Sequence, residues 1–332
     1  MKHRDPTVTC WVMSGKSADE SRAGVSLTNL DQALFDGAGA TKRDLVDYLD
    51  AMHDRIIPVL EDRPLSVIRV HRGQEAFMQK NVPKYAPEWL RTVEVWAEAS
   101  HRNVAYALCN DRRTLLWFAN QRAVEYHPAL TQIERPDRVT HVVLDLDPPE
   151  GDAFQSVVRV ARLVRQALDE LGLEGAVKTS GAKGLHVFVP IDEHASMEDA
   201  AGATRAIAVR AELLGPDIAT TAFMKEDRGG KVFIDATRVG GATVISAYSP
   251  RVRPGVPVSF PLSWDSLDSV VPGDFTLHNA VAQLDGRDPW SELMPDRQTL
   301  PVELIEEGHR IPAARVQAMH EGKRRARARR SA

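Results

Sequence analysis

The chain has 332 residues, of which 43% are hydrophobic and 27% charged, and this composition excludes a wholly disordered protein. Because 42 Lys and Arg face 46 Asp and Glu, for a net charge of −4, a nucleic acid would have to bind at a local basic patch. Cys10 and Cys109 cannot build a disulfide framework or a four-cysteine zinc site, so we expect buried thiols. We find no secretory h-region and no run of 18 apolar residues, and expect a cytoplasmic protein with no membrane partner.

The first third of the chain predicts an extension followed by alternating helices and strands. Residues 1–24 mix Ser, Gly and charges and are predicted to be loosely attached. Thr41 with Asp44 three residues later has the capping-box form, which predicts a helix that Pro58 ends. Further along we predict strands, a loop and a second helix, in the order Leu65–Val70 (strand), Gln79–Lys84 (loop), Thr92–Trp96 and Val104–Leu108 (strands) and Thr114–Tyr126 (helix).

The middle of the chain predicts a mixed α/β protein. His141 to Asp147 reads as an apolar strand, and because Asp145 and Asp147 are two residues apart, both carboxylates lie on one face. Pro148 and Pro149 end that strand, and Asp152 can cap the next helix. The later elements are an apolar-striped helix from Phe154 to Gly172, a strand, glycine turn and strand over Ala176–Pro190, a helix from Ser196 toward Leu214, a strand over Lys231–Asp235 and its neighbour over Thr243–Tyr248.

The two carboxylates at the end of the central strand suggest a divalent cation. Like charges so close together repel unless a cation neutralises them, and hard oxygen ligands favour Mg²⁺ or Mn²⁺ over zinc. A calcium loop is excluded because Pro149 and Ser156 occupy the fifth and twelfth positions. The D-x-D pair alone also fits nucleotide-sugar transferases, phosphatases and ordinary strand ends, so it does not decide the function.

A second cluster of polar residues runs from Lys178 to His186 around two glycines. Its hydroxyl, ammonium and imidazole groups, with close backbone approach at the glycines, have the composition of a phosphate-binding turn. It matches neither the Walker A nor the dinucleotide-binding spacing, and a hairpin with a polar turn remains the alternative. Arg228, Arg251 and Arg253 add positive charge downstream, with a turn at Tyr248-Ser249-Pro250.

Together these motifs resemble the primase-polymerase domain of bacterial DNA-repair ligases of the ligase D family, within the archaeo-eukaryotic primase superfamily. The similarity runs from about Ser26 to Trp290 and rests on motifs in matching order: Glu125-Tyr-His127-Pro, Asp145-Leu-Asp147-Pro, Ser180-Gly-Ala-Lys-Gly-Leu-His186, Phe233-Ile-Asp235, Tyr248-Ser-Pro-Arg251-Val-Arg253 and Asp288-Pro-Trp290. The resemblance implies an α/β (α+β) primase-like fold with an RRM-like catalytic sheet and flanking helices. It also implies an N-terminal extension over 1–24, a catalytic domain over 25–292 and a C-terminal segment over 293–332.

The resemblance implies roles for specific residues. Asp145, Asp147 and Asp235 would be catalytic and would hold two Mn²⁺ or Mg²⁺ ions, with Asp235 at the ion that activates the primer 3′-hydroxyl. The nucleotide would be bound by His127, Ser180, Lys183, Gly184, His186, Arg228, Arg251 and Arg253. DNA would be bound by Asn29, Lys42, Phe77, Lys80, Arg324 and Arg325, the last two in a basic tail that as a free segment would be attracted to polyanions.

Two departures from the family pattern affect DNA binding. Gln32 stands where the family usually has a Lys that grips the 5′-phosphate of a gap, and we expect a weaker preference for such gaps. Met78 stands where a second aromatic residue often follows the first.

We therefore predict a nucleotidyltransferase that adds ribo- and deoxyribonucleotides to primer ends or gaps in DNA repair, including non-homologous end joining, at the bacterial nucleoid. Terminal transferase or primase activity is implied as well. Since only 332 − 290 = 42 residues follow Trp290, we expect a stand-alone polymerase that works with a separate DNA ligase and a Ku-like end-binding protein. The alternatives are a D-x-D nucleotide-sugar transferase and a non-catalytic DNA-end-binding module.

Overall fold

The computed structural model describes residues 20–71, 73–97, 101–151, 154–239 and 243–312. Strands and helices are mixed along the chain, as the sequence predicts. The strands are β1 Glu20–Arg22, β2 Val25–Leu27, β3 Leu65–Arg69, β4 Phe77–Gln79, β5 Thr92–Ala97, β6 Arg102–Ala107, β7 Ala123–Pro128, β8 Thr131–Gln132, β9 Arg135–Val139, β10 His141–Asp147, β11 Ala176–Thr179, β12 Leu185–Pro190, β13 Ala219–Thr220, β14 Val232–Asp235 and β15 Pro261–Leu262. The α-helices are α1 Lys42–Ala51, α2 His53–Leu60, α3 Arg112–Asn120, α4 Phe154–Asp169, α5 Met197–Leu214, α6 Ala280–Gln283, α7 Pro289–Leu293 and α8 Val302–Arg310.

Two larger sheets organise these elements. The first has six strands in the order β13-β14-β10-β12-β11-β15, with antiparallel pairs except for the parallel pair of β13 and β14. The second has β4, β3, β6 and β5 in that order, with β7 also paired to β3. Strand β10 is central in the first sheet because it carries β12 on one side and β14 on the other.

Helices α4 and α5 cover the first sheet. Both pack against β10 and β14, and α4 also packs against β12. The stripe predicted for α4 is buried from Phe154 to Leu168, because its apolar residues recur at helical spacing. The alternate residues Val142, Leu144 and Leu146 of β10 are also fully buried, so the strand contributes to one continuous apolar core.

The helix predicted at Thr41 begins as expected and ends differently. Thr41 accepts a hydrogen bond from the backbone of Asp44, whose side chain accepts one in return, so the capping box is confirmed. The helix breaks at Met52 into α1 and α2, and Pro58 lies inside α2 rather than ending it.

Three other predicted elements are wrong in part. The helix expected over Thr114–Tyr126 ends at Asn120, and Ala123–Pro128 is strand β7. Gln79, expected in a loop, ends strand β4. Thr243–Tyr248 is not a strand beside β14: Thr243 makes an isolated bridge to Ala129, and the neighbours of β14 are β10 and β13.

The ends of the described chain are packed against the rest. Strands β1 and β2 form a hairpin, so the predicted domain boundary at residue 25 falls within it. Helix α8 packs on α5, where Arg210 pairs with Glu307 at 2.6 Å. Cys109 is a buried free thiol, as predicted, whereas Cys10 and Asp152 lie outside the described residues. In the described part of the chain no helix is both long and apolar enough to cross a membrane.

Candidate functional site

A row of polar side chains crosses the six-stranded sheet at the carboxyl end of β10. Asp145 lies directly opposite Asp235 of β14 on one side and opposite His186 of β12 on the other. Lys178 of β11 lies opposite His186. Directly opposed residues in antiparallel strands place their side chains on the same face, so the sheet itself brings together two carboxylates that are far apart in sequence. Asp147 lies two residues beyond Asp145, on that same face.

An arginine that the sequence did not identify stands between the two opposed carboxylates. The Arg238 guanidinium lies 2.7 Å from Asp145 Oδ2 and 3.1 Å from Asp235 Oδ2. The other oxygen of Asp235 accepts hydrogen bonds from Thr237, at 2.8 Å from the backbone amide and 2.6 Å from the hydroxyl. The other oxygen of Asp145 lies 3.1 Å from His186 Nε2. Both carboxylates are therefore fully partnered by cations and hydrogen-bond donors.

The charges in this row have opposite effects on two neighbouring carboxyls. Burial favours the neutral form of Asp145, but His186 and Arg238 outweigh it and hold the pKa of that carboxyl well below its usual range. Asp147 has no such close partner, so burial and then the negative charges of Asp145 and Asp235 raise its pKa to about 6. A cation placed at Asp147 would therefore relieve an unfavourable concentration of negative charge.

Asp145, Asp147 and Asp235 do not form a preassembled metal site in this structure. Across the described ranges, no group of three His, Cys, Asp or Glu side chains is arranged closely enough to hold a metal ion. Arg238 lies within this row, where its guanidinium bridges Asp145 and Asp235. The donor set itself, oxygens without thiolates, matches the preference of Mg²⁺ and Mn²⁺.

The predicted glycine turn lies beside the row, between β11 and β12. Ser180 Oγ accepts hydrogen bonds from the backbone amides of Ala182 and Gly184, at 3.2 and 3.1 Å. Gly181 has φ +66°, a left-handed conformation that favours glycine, and an added Cβ at Gly184 would lie 2.1 Å from the carbonyl oxygen of Leu146. The turn therefore lies directly against the strand that carries the carboxylates. Lys183 is exposed at its tip.

Glu125, also missed as a candidate in its own right, joins the second sheet to this turn. Its carboxylate lies 2.9 Å from His127 Nε2 and 3.2 Å from Arg251 Nε, and it accepts a hydrogen bond from the backbone amide of Val252 at 2.9 Å. Arg251 in turn donates to the Ser180 carbonyl at 2.5 Å. Glu125 and His127 contact each other because residues two apart on a strand, here β7, lie on the same face. In the helix predicted through Tyr126, residues two apart would not share a face.

The remaining nucleotide-binding candidates differ in how close they lie to the carboxylates. Arg228 stacks on Phe233, 3.8 Å from the ring centroid, and so stands close to Asp147, which faces Phe233 in the strand register. Arg253 is exposed, and its backbone amide bonds to the Arg251 carbonyl. Five of the predicted nucleotide-binding residues therefore contact other residues of the site: His127, Ser180, Gly184, His186 and Arg251. The side chains of Lys183 and Arg253 are exposed instead.

Replacing Glu125 by Gln is expected to lower the free energy of unfolding at neutral pH by about 3 kcal/mol, because it removes the charge that pairs with Arg251. Burial opposes ionisation of Glu125, but the hydrogen bond with His127 and the charge of Arg251 lower its pKa to about 2. A carboxyl with a lowered folded-state pKa stabilises above its ordinary pKa, and that contribution is lost as the pH falls toward the folded value.

Urea unfolding of both proteins between pH 7 and pH 3 measures this effect. The difference between wild type and Glu125→Gln should shrink below about pH 4.5. A difference that does not change over this range would contradict an ionised, partnered Glu125. Glu88→Gln makes the same change at an exposed glutamate and would show the background effect of losing a carboxyl that is not buried.

A second polar cavity lies near the N-terminal hairpin and holds part of the predicted DNA-binding set. It has a volume of about 190 Å³ and is lined by Thr28, Asn29, Gln32, Lys42, Arg69, His71, Asn120, Gln121 and Arg122. Lys42 is buried there and donates to the Thr28 carbonyl at 2.5 Å. Burial and the charge of Arg122 lower the pKa of Lys42 to about 8. The cavity is thus basic even with Gln32 in it, since Arg69 and Arg122 add charges that the sequence reasoning missed.

An exposed aromatic residue is connected to this cavity through His71. The Phe77 ring is 38% exposed and stacks on the His71 ring at 5.4 Å between centroids, nearly parallel at 18°. Met78 beside it is 45% exposed, and Lys80 is exposed as well. Phe77 is therefore a surface residue rather than a core residue. Arg324 and Arg325 lie outside the described residues.

Comparisons with known proteins identify the family of this chain. Residues 41–290 match the family described as LigD, primase-polymerase domain. The chain belongs to the LigD primase-polymerase domain family. Its fold is similar to that of the polymerase domain from Mycobacterium tuberculosis ligase D, which was solved in complex with DNA; the TM-score is 0.75 and the identity 31%, with 82% of this chain and 99% of that chain covered. The primase-like α/β fold predicted from the motifs is confirmed.

Two curated relatives show how much of a longer protein the chain represents. The bifunctional non-homologous end joining protein LigD of Bacillus subtilis is 32% identical over 265 residues, which are 78% of this chain and 42% of that protein. The multifunctional LigD of M. tuberculosis H37Rv is 35% identical over 266 residues, 76% of this chain and 34% of that protein. The matched part of the chain therefore spans less than half the length of these relatives. It is a nucleotidyltransferase of the polymerase class in a DNA repair family, as predicted.

Proposed function

We propose that this chain is a DNA repair polymerase that adds ribo- or deoxyribonucleotides to primer ends and short gaps. The observation that carries this proposal is the direct pairing of Asp145 with Asp235 across β10 and β14, with His186 and the glycine turn beside them. An acidic cluster can hold cations, and the imidazole of His186 and the ammonium of Lys183 beside it can bind a triphosphate at the same time. The proposed setting is non-homologous end joining or excision-repair gap filling, with gapped or broken DNA as substrate.

Asp145, Asp147 and Asp235 are the residues that would hold two Mg²⁺ or Mn²⁺ ions. The fit is supported by the all-oxygen donor set and by Asp147, whose pKa is raised by burial and by the negative charges of Asp145 and Asp235, so that a cation beside it would be stabilising. Bound ions would stabilise the attacking and leaving oxygens of an in-line displacement at the α-phosphate. Arg238 would have to release one carboxylate to admit them, because its guanidinium bridges both.

The protein's own residues would bind and orient the triphosphate. His186 offers its ring nitrogen next to Asp145, and Ser180, Lys183 and Gly184 belong to the turn beside it. Arg251 and Arg228 would neutralise phosphate charge, and Glu125 would keep both His127 and Arg251 in place. His127 would contact the incoming nucleotide, and Arg253, being exposed, would act at the outer end of the site.

The DNA would extend from this site across the second sheet. Phe77 would stack on a base, which where it occurs stabilises binding by about 1 to 3 kcal/mol per base. The basic cavity around Lys42 would receive the 5′-phosphate at the far side of a gap, with Asn29 in its wall and Lys80 on the exposed strand end. Arg324 and Arg325 would add sequence-independent affinity through counterion release. A Ku-like protein and a DNA ligase would complete the joining of ends.

Primer extension on gapped duplexes tests the proposed activity. The assay compares rNTPs with dNTPs, gaps with and without a 5′-phosphate, and Mg²⁺ with Mn²⁺. We expect metal-dependent, template-directed incorporation. DNA binding without incorporation under any of these conditions would instead support the end-binding module. Transfer from uridine diphosphate sugars with no response to DNA would support the sugar transferase, which the family assignment disfavours.

Replacing Gln32 by Lys is expected to raise the affinity for gaps that carry a 5′-phosphate by about tenfold or more. A charge-assisted hydrogen bond to phosphate is worth about 1.5 to 3 kcal/mol, and Gln32 already lines the basic cavity. Fluorescence anisotropy with matched gapped duplexes measures the change. Gaps without the 5′-phosphate should bind as before, and Gln283→Lys, an exposed change outside the cavity, serves as the control. An equal gain for both duplexes would mean only general attraction to DNA.

A further inference from the structure

Lys178 is a buried cation that the proposed mechanism does not use. Its side chain has no exposed surface, which is rare for lysine because burial of an ammonium group is costly. Its nitrogen lies near two hydrogen-bond acceptors, Ser259 Oγ at 2.7 Å and His186 Nδ1 at 3.0 Å, and 5.4 Å from the centroid of the Phe188 ring. A buried lysine without a carboxylate contact among these partners calls for a physical reason.

The direction of each hydrogen bond in this cluster can be assigned. The Ser259 hydroxyl donates its single hydrogen to the Thr179 carbonyl at 2.7 Å, so its oxygen must accept from Lys178. On the other side of the cluster, Asp145 Oδ1 lies 3.1 Å from His186 Nε2, and an ionised carboxylate can only accept. His186 therefore carries a hydrogen on Nε2. An ammonium group has hydrogens and no lone pair, so His186 Nδ1, which lies 3.0 Å from Lys178 Nζ, accepts from it and carries no hydrogen.

Lys178 can satisfy both acceptors in either protonation state. An ammonium group has three hydrogens and a neutral amine has two, and two are needed here. The strand register favours the same arrangement, because Lys178 faces His186 directly across β11 and β12, as His186 faces Asp145 across β12 and β10. The result is one chain of donors, from Lys178 through His186 to Asp145.

We propose that Lys178 is a positioning residue that holds the His186 ring with Nδ1 as acceptor and Nε2–H as donor. The inference rests on the proposed function, in which His186 contacts the triphosphate. A triphosphate oxygen, like a carboxylate, only accepts hydrogen bonds, so the ring must present N–H to it. When Asp145 turns to another partner, Lys178 is the contact that keeps the proton on Nε2 and prevents the ring from presenting a bare nitrogen to the phosphate.

The ring can be observed without any enzymatic turnover. With ¹⁵N-histidine labelling, two-bond ¹H–¹⁵N spectra of the metal-free protein at pH 7.5 distinguish protonated from unprotonated ring nitrogens, and a His186→Asn sample assigns the signals. We expect His186 Nδ1 to be unprotonated and Nε2 protonated. A protonated Nδ1 in the wild-type protein would overturn the proposal, and this outcome requires no variant to fold.

Two substitutions at Lys178 distinguish the effect of the N–H donor from the effects of side-chain size and charge. Lys178→Met removes the donor at similar length, and Lys178→Gln keeps an N–H donor without the charge. In Lys178→Met, Nδ1 should become protonated in a measurable fraction of molecules, while Lys178→Gln should retain the wild-type spectrum. If the Met variant also retained that spectrum, Asp145 alone would orient the ring and the proposal would fail.

Steady-state primer extension supplies the functional comparison. In Lys178→Met, kcat/KM for the nucleotide should fall about 10- to 100-fold, the usual effect of removing a group that orients an active-site histidine. DNA affinity should not change, and Lys178→Gln should recover most of the loss. An equal loss in both variants would contradict the positioning role. If the wild-type chain has no polymerase activity, the proposed function fails, yet the ring spectra still decide the role of Lys178.

Discussion

Replacing Asp235 by Asn is expected to lower the rate of primer extension by about 1000-fold or more. The change keeps the shape of the side chain and removes one negative charge from the row in which Asp235 opposes Asp145. If these carboxylates hold the ions that stabilise the transferring phosphate, the loss is several kcal/mol of transition-state stabilisation, and about 4 kcal/mol corresponds to about 1000-fold. The same loss is expected for Asp145→Ala and Asp147→Ala.

Single-turnover primer extension in Mg²⁺ and in Mn²⁺, together with DNA binding by anisotropy, measures this prediction. DNA affinity should stay within about twofold of wild type, because the carboxylates would bind the ions and not the DNA. Asp265→Asn, at an exposed aspartate in the 3₁₀ helix Trp264–Ser269, is the matched control and should retain full activity. If Asp235→Asn retained substantial extension, Asp235 would not belong to the metal-binding set, and the polymerase site would have to lie elsewhere.

The central strand and its carboxylates could be predicted from sequence because the information is local. Two aspartates two residues apart in an apolar strand must share a face, and the strand β10 has the predicted bounds of His141 and Asp147. The pairing of Asp145 with Asp235, by contrast, could not be predicted from local sequence. It depends on the register of β10 and β14, which are 90 or so residues apart, and only the family resemblance indicated that these two side chains meet.

Arg238 and Glu125 show what the sequence could not supply. Arg238 follows Asp235 by three residues in an irregular segment, where no periodicity predicts that its guanidinium turns back to bridge Asp145. Glu125 was not recognised because the sequence predicts a helix through Tyr126, whereas residues 123–128 form strand β7. Arg122 adopts φ +61° and interrupts the helical pattern, although arginine is a good helix former, so the residues after it form a strand.

The basic cavity illustrates the same limit for binding sites. Asn29 and Lys42 came from the family pattern, and the substitution at Gln32 suggested a weaker grip on phosphate. Yet Arg69 of strand β3 and Arg122 of the turn after α3 line that cavity as well. Single positions therefore describe the charge of this site poorly, because residues from separate elements contribute to it, and the Gln32→Lys experiment measures the net result.

Replacing Gly184 by Ala is expected to reduce primer extension to about a hundredth or less and to lower the free energy of unfolding by about 1 to 3 kcal/mol. An added Cβ would lie 2.1 Å from the Leu146 carbonyl oxygen, far inside van der Waals contact, and the obstacle is backbone rather than a flexible side chain. Leu146 is the residue between Asp145 and Asp147. Relief of the clash must therefore move either the turn that would bind phosphate or the strand that carries both carboxylates.

Gly273→Ala is the control for this substitution. No heavy atom lies within 4 Å of a Cβ added at Gly273, and its φ is outside the left-handed region, so stability should stay within about 0.5 kcal/mol and extension should not change. Thermal unfolding and nucleotide titrations of the two variants separate stability from site geometry. A Gly184→Ala protein that is less stable but extends primers normally would show that the turn and β10 can separate without consequence. If the Gly184→Ala protein is still folded at the assay temperature but no longer extends primers, the site requires the close spacing between the turn and the carboxylates. Glycine at position 184 permits that spacing because it has no Cβ.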